Sequence, residues 1–347
     1  MKITEHIREY IYEEDREFQS GHASTLINLP GGDVLAAWFG GSWEKGSDVA
    51  IWMSRRTAQG WQKPYVVAST WGVALWNPVL FRRLDGRILL FYKEGAIIPE
   101  WRTFIKYSDD NGETFSEAKE LVADDVSGGR GPVKNKPIVL SDGTIAAPAS
   151  IEGDSDGLNK KGLWDCFVDL SQDGGETWQR SDLVPLRRIG FNMIDRVYDP
   201  RHCYGKGIIQ PSLWESKPGH LHMLTRSTSS AIFRSDSSDG GKTWCCAYQS
   251  GLPNNNSGSD LVQLPDGSLV LAWNPVGNLP NYYKGPRTPL VLSHSTDNGK
   301  TWQQIFTLED TQGGFAYPAI IATEKEILLT YTWNRERIVF WRFKYEG

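Results

Sequence analysis

The chain has 347 residues with 37 basic and 42 acidic side chains, and its net charge of −5 gives no reason to expect a nucleic acid or a membrane surface as partner. Residues 1–18 carry charges throughout and lack an apolar core, which argues against a signal peptide, and no apolar run reaches transmembrane length. The four cysteines have no spacing typical of a metal site, so we expect free thiols in a reducing, cytoplasmic compartment and no metal.

A pattern of apolar strand, turn and apolar strand recurs along the chain, and each copy predicts a β-hairpin. In chain order the copies span 24–38, 77–92, 136–149, 210–224, 259–273 and 317–331. Most of them are followed by a third strand and a turn. Residues 186–206 form a longer connection, which we expect to be either a surface excursion or a lid over a site.

The turn after the third strand is an octet that occurs four times: SDDNGETF from Ser108, SQDGGETW from Ser171, SSDGGKTW from Ser237 and STDNGKTW from Ser295. Its Asp can accept hydrogen bonds from backbone N–H groups in a tight turn, and its Gly suits a positive φ. Residues 54–61 resemble an eroded fifth copy. The repetition predicts one all-β domain over residues 1–347, a six-bladed β-propeller of four-stranded antiparallel blades. The last blade lacks an octet, so we expect a strand around Ile7–Tyr12 to close it.

In such a blade the first strand starts, the second ends and the third starts on one face, and the octet turns lie on the other. Residues at the first three positions are rich in Arg, Lys, Asn and His, which predicts an anionic small ligand such as a carboxylate sugar. The candidate binding residues are Arg287, Arg226, Arg234, Asn77, Lys93, Lys134, Lys136, Trp38, Asn274 and Arg335. A rim salt bridge is the simpler interpretation for any one of them, but not for the set.

The octets resemble the Asp-boxes of the sialidase (neuraminidase) superfamily, and the chain is similar to the bacterial group of predicted neuraminidases with BNR repeats. The segments that carry this resemblance are GHASTLINLPGGDVLAAWFGG, WNPVLF, KNKPIVLSDGT, IIQPSL, RTPLVLSHSTDNGKTW and FAYPAI. The resemblance covers essentially all six predicted blades and implies a sialidase-like propeller. Asp-boxes also occur in binding and lyase propellers, so these activities stay open.

Sialidases use three arginines on the substrate carboxylate, a Tyr nucleophile activated by a Glu, and an Asp as acid/base. The resemblance implies that Tyr317 is the nucleophile and Asp48 the acid/base. It also implies that Arg287 is the third arginine and that Arg226 or Arg234 is the second, because guanidinium forks suit a carboxylate.

Two positions depart from the family pattern. His22 stands where the family has its first arginine, and Gln210, which is no base, stands where it has the glutamate. A phenol without a carboxylate partner is a poor nucleophile at neutral pH.

We nevertheless expect a glycoside hydrolase, without a cofactor, that acts on a terminal acidic sugar of an oligosaccharide. A uronate lyase that uses His22 or Tyr317 as its base is an alternative, and a non-catalytic glycan-binding propeller is another. For His22 alone, a structural histidine bonded to a neighbouring blade is a further interpretation.

Overall fold

The computed structural model describes residues 1–153, 162–189 and 201–346. They form six antiparallel sheets arranged as the blades of a propeller, which confirms the predicted six-bladed all-β fold. The predicted hairpins are the first two strands of the six blades. No helix in the described part of the chain is long and apolar enough to cross a membrane, and all four cysteines are free thiols.

The first half of the chain contains the closing strand and three blades. The closing strand is β1 (Lys2–Tyr10). Blade one consists of β2 (Ser20–Asn28), β3 (Val34–Gly41), β4 (Ala50–Thr57), β5 (Gly60–Trp61) and β6 (Tyr65–Ala68). Blade two consists of β7 (Leu75–Arg82), β8 (Ile88–Glu94), β9 (Arg102–Ser108) and β10 (Lys119–Glu120). Blade three consists of β11 (Ile138–Val139), β12 (Ile145–Glu152), β13 (Trp164–Ser171) and β14 (Gln179–Arg180). Single 3-10 turns lie at Pro30–Gly32 and Ile98–Glu100.

The second half contains a short parallel pair, β15 (Arg187–Ile189) and β16 (His202–Tyr204), and the other three blades. Blade four consists of β17 (Ile208–Lys217), β18 (His220–Ser227), β19 (Ala231–Ser237) and β20 (Tyr248–Pro253). Blade five consists of β21 (Asp260–Gln263), β22 (Leu269–Trp273), β23 (Leu290–Ser295) and β24 (Gln303–Glu309). Blade six consists of β25 (Phe315–Ala322), β26 (Glu326–Trp333) and β27 (Arg337–Glu346). Residues 190–200 of the long connection 186–206, expected to be either a surface excursion or a lid, lie outside the described residues.

The ring closes between the two ends of the chain. Strand β1 pairs antiparallel with β27, and Ile7 lies opposite Arg342. The backbone N–H of Ile11 adds a hydrogen bond of 2.9 Å to the carbonyl of Ile338. The prediction that the N-terminal segment supplies the outer strand of the last blade is therefore confirmed, although the strand ends at Tyr10.

Each octet is a compact turn organised by its aspartate. In the copy from Ser171, the Asp173 carboxylate accepts hydrogen bonds from the backbone N–H of Thr177 at 2.9 Å and from its hydroxyl at 2.5 Å. These bonds, with one from the Ser171 hydroxyl, lower the pKa of Asp173 to about 2. The other three copies repeat the pattern around their own aspartates. Residues 54–61 do not, because Thr57 pairs directly with Gly60 in a tight hairpin.

The octets share a face with the turns between first and second strands. Arg83, in such a turn of blade two, donates to the carbonyl of Gly174 in an octet at 2.9 Å. In blade four, the octet residue Gly240 donates its backbone N–H to Gly219 in the turn of the same blade at 3.0 Å. The octets are therefore scaffold, at the opposite end of the strands from the candidate binding residues.

One buried carboxylate at the centre of the ring joins four blades. Asp260, at the start of β21 in blade five, is 1% exposed. It accepts hydrogen bonds from Lys136 of blade three at 3.0 Å, from the hydroxyl of Ser212 of blade four at 3.1 Å and from the backbone N–H of Ile320 of blade six at 3.0 Å. We call Asp260 and these three partners the central network.

The octet geometry predicts a stability difference that depends on pH. Asp173→Ala removes the hydrogen bonds to Thr177 and should lower the free energy of unfolding by about 1 kcal/mol. The ionised carboxylate is what stabilises the folded state, because its folded pKa lies below its unfolded value. The loss should therefore be full above about pH 4 and shrink as the pH falls towards 2. Urea unfolding at several pH values measures it, with Gln172→Ala, an exposed neighbour, as control.

The central network predicts a larger effect. Asp260→Asn leaves the Lys136 ammonium without its counter-charge, and should cost about 3–5 kcal/mol in urea unfolding. The double variant Lys136→Met/Asp260→Asn removes both charges and should be less destabilised than the single one. The exposed Asp310 of the same blade serves as the control, since Asp310→Asn should leave stability unchanged. Equal losses in the single and double variants would contradict the role given to the ion pair.

Candidate functional site

Left-handed backbone recurs at one position near the start of the first strand. The residues are Ala23 (φ 53°), Asn77 (φ 41°), Gln210 (φ 56°), Asn256 (φ 57°) and Tyr317 (φ 57°). At all of these except Asn256, which precedes β21, the pairing with the second strand shifts register. Such a bulge re-aims a side chain, and the left-handed conformation costs a non-glycine residue about 1–2 kcal/mol. The backbone at these positions therefore lowers the stability of the fold and sets the direction of the side chains.

Tyr317, Gln210 and Arg226 meet through hydrogen bonds. The phenol oxygen of Tyr317 accepts a hydrogen bond from Arg226 Nη1 at 2.7 Å and one from Gln210 Nε2 at 3.3 Å. Gln210 Oε1 accepts from the same guanidinium nitrogen at 3.2 Å. Arg226 can only donate, so it fixes the orientation of the amide and leaves its NH2 group towards Tyr317. Gln210 therefore donates to the phenol oxygen and cannot take its proton.

Arg226 is held rigidly in this position. It is the next-to-last residue of β18 and is 7% exposed. Its Nε donates to Asn256 Oδ1 at 2.7 Å. Its guanidinium carbon lies 5.3 Å from the ring centroid of Trp164 and 5.9 Å from that of Tyr317, so the cation sits between two aromatic rings.

Two further guanidiniums approach Tyr317 and His22. Arg287 lies over the Tyr317 ring at 5.7 Å, and burial together with the charges of Arg226 and Arg335 lowers the pKa of Arg287. Arg335 pairs through Nη2 with Glu44 at 2.9 Å, and its Nη1 is buried without a hydrogen-bond partner among the described residues. We call Arg226, Arg287 and Arg335 the arginine cluster. Arg226 is buried, Arg287 is partly buried, and Arg335 is partly exposed and paired with Glu44, so the three guanidiniums share one ion pair in the described part of the chain.

His22 lies beside Tyr317 but is buried. Its ring centroid is 4.2 Å from that of Tyr317, and its Nδ1 lies 2.8 Å from the hydroxyl of Thr332 in blade six. Burial and the nearby cations, Arg335 foremost, hold the pKa of His22 well below its usual value, so the imidazole is neutral at physiological pH. The contact with Thr332 fits the interpretation of a structural histidine bonded to a neighbouring blade.

Asp48 lies on the exposed loop between β3 and β4. Its Oδ2 accepts hydrogen bonds from the Ser42 hydroxyl at 2.6 Å and from the Ser42 backbone N–H at 2.8 Å. These bonds lower the pKa of Asp48 and favour its ionised form. A carboxylate held in this way is a poor proton donor at neutral pH. The assignment of Asp48 as acid/base stays a prediction.

Three predicted binding residues lie elsewhere, and these assignments are corrected. Arg234, in the middle of β19, donates to the octet carbonyl of Asn298 at 2.6 Å, at the octet end of the strands. Trp38 is completely buried and packs against Tyr12, with ring centroids 5.0 Å apart. Lys93 is also completely buried.

The buried lysines and one asparagine hold the scaffold together. Lys93 Nζ donates to the hydroxyl of Thr103 at 2.7 Å. Lys134 Nζ donates to the carbonyl of Ser259 at 3.1 Å and to that of Pro318 at 2.5 Å. Burial lowers the pKa of each lysine to about 7. Asn274 donates to two backbone carbonyls, and Lys136 belongs to the central network. Their donors have protein acceptors, and Lys134 Nζ also lies 5.8 Å from the ring centroid of Tyr317. A role of Lys134, Lys136 and Asn274 in substrate binding therefore stays a prediction.

Two glutamates that the sequence analysis did not select lie near the arginine cluster. Glu44 binds Arg335, and Glu152 ends β12, where it pairs with Trp164. Their positions follow the same rule that selected Arg226 and Asp48, namely the end of a second strand and the loop before a third one. The strand-end rule therefore places both glutamates on the same face as the arginine cluster.

Comparisons with known proteins agree with this fold. A family model described as "BNR repeat-like domain" matches residues 32–329. A sialidase of Paraclostridium sordellii is 32% identical over 108 residues, which make up 27% of this chain and only 25% of that protein. Hadza microbial sialidase Hz136 superposes with a TM-score of 0.74 at 17% identity over 94% of this chain and 66% of its own. Trypanosoma rangeli sialidase in complex with sialic acid superposes with a TM-score of 0.69 at 14% identity, covering 98% of this chain and 59% of its own.

Proposed function

The chain belongs to the family of BNR repeat-like domains, and on that basis we propose that it is a sialidase-like glycoside hydrolase that removes a terminal acidic sugar from an oligosaccharide. The observation that carries this proposal is the hydrogen bond of 2.7 Å from Arg226 to the phenol oxygen of Tyr317 inside the arginine cluster. It joins a potential nucleophile to a site for an anion. The sialidases with which the chain shares sequence or fold support the choice of substrate class.

The arginine cluster is the proposed site for the sugar carboxylate. Arg226 and Arg287 make no ion pair with a described residue, and a bound carboxylate would supply one through charge-assisted hydrogen bonds. Arg335 supplies the guanidinium that the His22 position lacks. It reaches the site from the turn between β26 and β27, and its charge is the strongest of those that act on His22. The guanidinium that replaces the family's first arginine thus comes from blade six instead of blade one.

Tyr317 is the proposed nucleophile, activated by a cation and not by a carboxylate. Arg226 and Gln210 both donate to the phenol oxygen, so its own O–H points away from them. When the phenol proton departs, these two donors stabilise the negative charge left on the oxygen, and that charge is consumed as the oxygen bonds to the anomeric carbon. Gln210 orients the phenol and takes no proton.

Elimination from a uronate is the second candidate. The neutral imidazole of His22 beside the Tyr317 ring favours it, because only the neutral form can take a proton. Burial of His22 and its contact with Thr332 weigh against it.

Carboxylate recognition is tested by truncating one arginine of the cluster. Arg287→Ala should weaken binding of an acidic sugar about 10- to 150-fold, the equivalent of about 1.5–3 kcal/mol for a charge-assisted contact. Binding of the methyl ester of the same sugar should change little. Arg234→Ala is the matched control, because the Arg234 guanidinium binds the octet carbonyl of Asn298. Calorimetry on both ligands measures the effect, and equal losses for acid and ester would contradict carboxylate binding.

Hydrolysis is tested with a panel of sialyl- and uronyl-oligosaccharides. We expect new reducing ends without absorbance near 235 nm, whereas the chromophore would indicate elimination and neither signal would indicate a binding protein. A fluorinated acidic sugar that slows the second step should add its mass to the wild-type chain. Tyr317→Phe should abolish both turnover and the mass shift. Labelling that persists in Tyr317→Phe would place the nucleophile elsewhere.

A further inference from the structure

We propose that Glu152 donates the proton to the leaving-group oxygen, and that the cleft it lines between blades two and three holds the sugar that carries this oxygen. The inference rests on the hydrolase function proposed above. It assigns the acid role to a residue other than Asp48, which the family resemblance selects.

A chain of three neighbouring pairs links Glu152 to the proposed nucleophile Tyr317, through Trp164 and Arg226. It is the last residue of β12 and lies opposite Trp164 in the sheet. The Trp164 ring is 5.3 Å from the guanidinium of Arg226, which in turn donates to the phenol oxygen of Tyr317 at 2.7 Å. Residues paired across two strands point to the same face of a sheet, so the Glu152 side chain lies on the side of Trp164, which contacts the arginine that holds Tyr317.

The cleft has the size and lining of a sugar subsite. Its volume is about 330 Å³, at the lower end of the range of small-molecule sites, which suits one or two rings. Residues 96–99 and the edges of the buried Trp76 and Trp164 form its apolar lining, and Lys45, Lys206 and Glu152 contribute its polar groups. Strong polar groups around an apolar wall can orient a hydroxylated ring next to the carboxyl group.

Three cations and one carboxylate act on the Glu152 carboxyl group. Arg226, Lys206 and Lys284 favour its ionised form, and Glu44 opposes it. Burial outweighs the three cations and raises the pKa of Glu152 above its usual value. Glu152 is the one carboxyl group in the described ranges whose pKa is raised, whereas the Ser42 hydrogen bonds lower that of Asp48. A raised pKa favours a proton donor near neutral pH.

The proton transfers balance over two steps. In the first, the Tyr317 oxygen bonds to the anomeric carbon and releases its own proton to water. At the same time the C–O bond to the leaving group breaks, and that oxygen takes the proton of Glu152. In the second, the Glu152 carboxylate removes a proton from water, whose oxygen bonds to the anomeric carbon. The Tyr317 oxygen departs and regains a proton from solvent, so one water is consumed per bond.

The test compares two leaving groups in four proteins. The proteins are wild type, Glu152→Gln, Asp48→Asn and the control Glu100→Gln. Glu100 is an exposed glutamate on the 3-10 turn beside the cleft. Each protein is assayed on a sialyl-oligosaccharide and on an activated aryl sialoside. We expect Glu152→Gln to lose about 10²- to 10⁴-fold in kcat/KM on the oligosaccharide and to keep most aryl-sialoside activity, which needs no protonation. It should also lose the fall in rate at high pH that deprotonation of Glu152 causes, and Glu152→Asp should recover part of the activity.

Other outcomes overturn the proposal. A Glu152→Gln variant with wild-type activity on both substrates excludes the acid role and leaves the hydrolase function intact. Equal losses on both substrates, with lowered thermal stability, show that Glu152 only supports the structure. If only Asp48→Asn loses activity on the oligosaccharide and keeps it on the aryl sialoside, Asp48 is the proton donor. A wild type that turns over neither substrate overturns the hydrolase function itself.

Discussion

The structure depends on one desolvated carboxylate. Asp260 of blade five receives hydrogen bonds from blades three, four and six, so a single side chain sets the spacing of four sheets at the centre of the ring. The strands that it ties, β17 and β25, are those that carry Gln210 and Tyr317. Because Asp260 is buried in its ion pair with Lys136, loss of the pair would leave an unpaired charge in the core. The blades would then no longer hold the bulged residues in register. The same network that closes the core therefore places the site.

The architecture could be predicted because its signals are local and repeated. A hairpin is specified by two apolar strands and their turn, and an octet such as that from Ser171 by an aspartate that binds its own backbone four residues on. These contacts need no knowledge of distant residues. The eroded copy at residues 54–61 keeps the place of an octet, between the third and fourth strands, but not its hydrogen bonds. Without an aspartate at its third position, nothing prevents Thr57 and Gly60 from forming an ordinary tight hairpin.

The site could be predicted only in part, because side-chain direction is not local. Strand position correctly placed Arg226, Arg287 and Tyr317 together, but it could not distinguish Arg234, which sits mid-strand and reaches the octet of the next blade. Strand position also does not show which side chains the fold buries. Lys93 stands at a strand end that the fold covers completely, so its donors turn inward to protein acceptors. The carboxyl group of Glu152 has its proton affinity set by burial and distant cations, which no short motif encodes.

The seam of the ring runs through the site. His22 of blade one contacts Thr332 of blade six, 310 positions away in sequence, and the two blades meet where β1 joins β27. The surroundings of Tyr317 are therefore complete only when blade six is in place. The arginine cluster, which draws on blades four, five and six, depends on the same blade. A chain that stopped before β26 would lose Arg335 and the contact of His22 with Thr332, and blade one would have no neighbour at the seam.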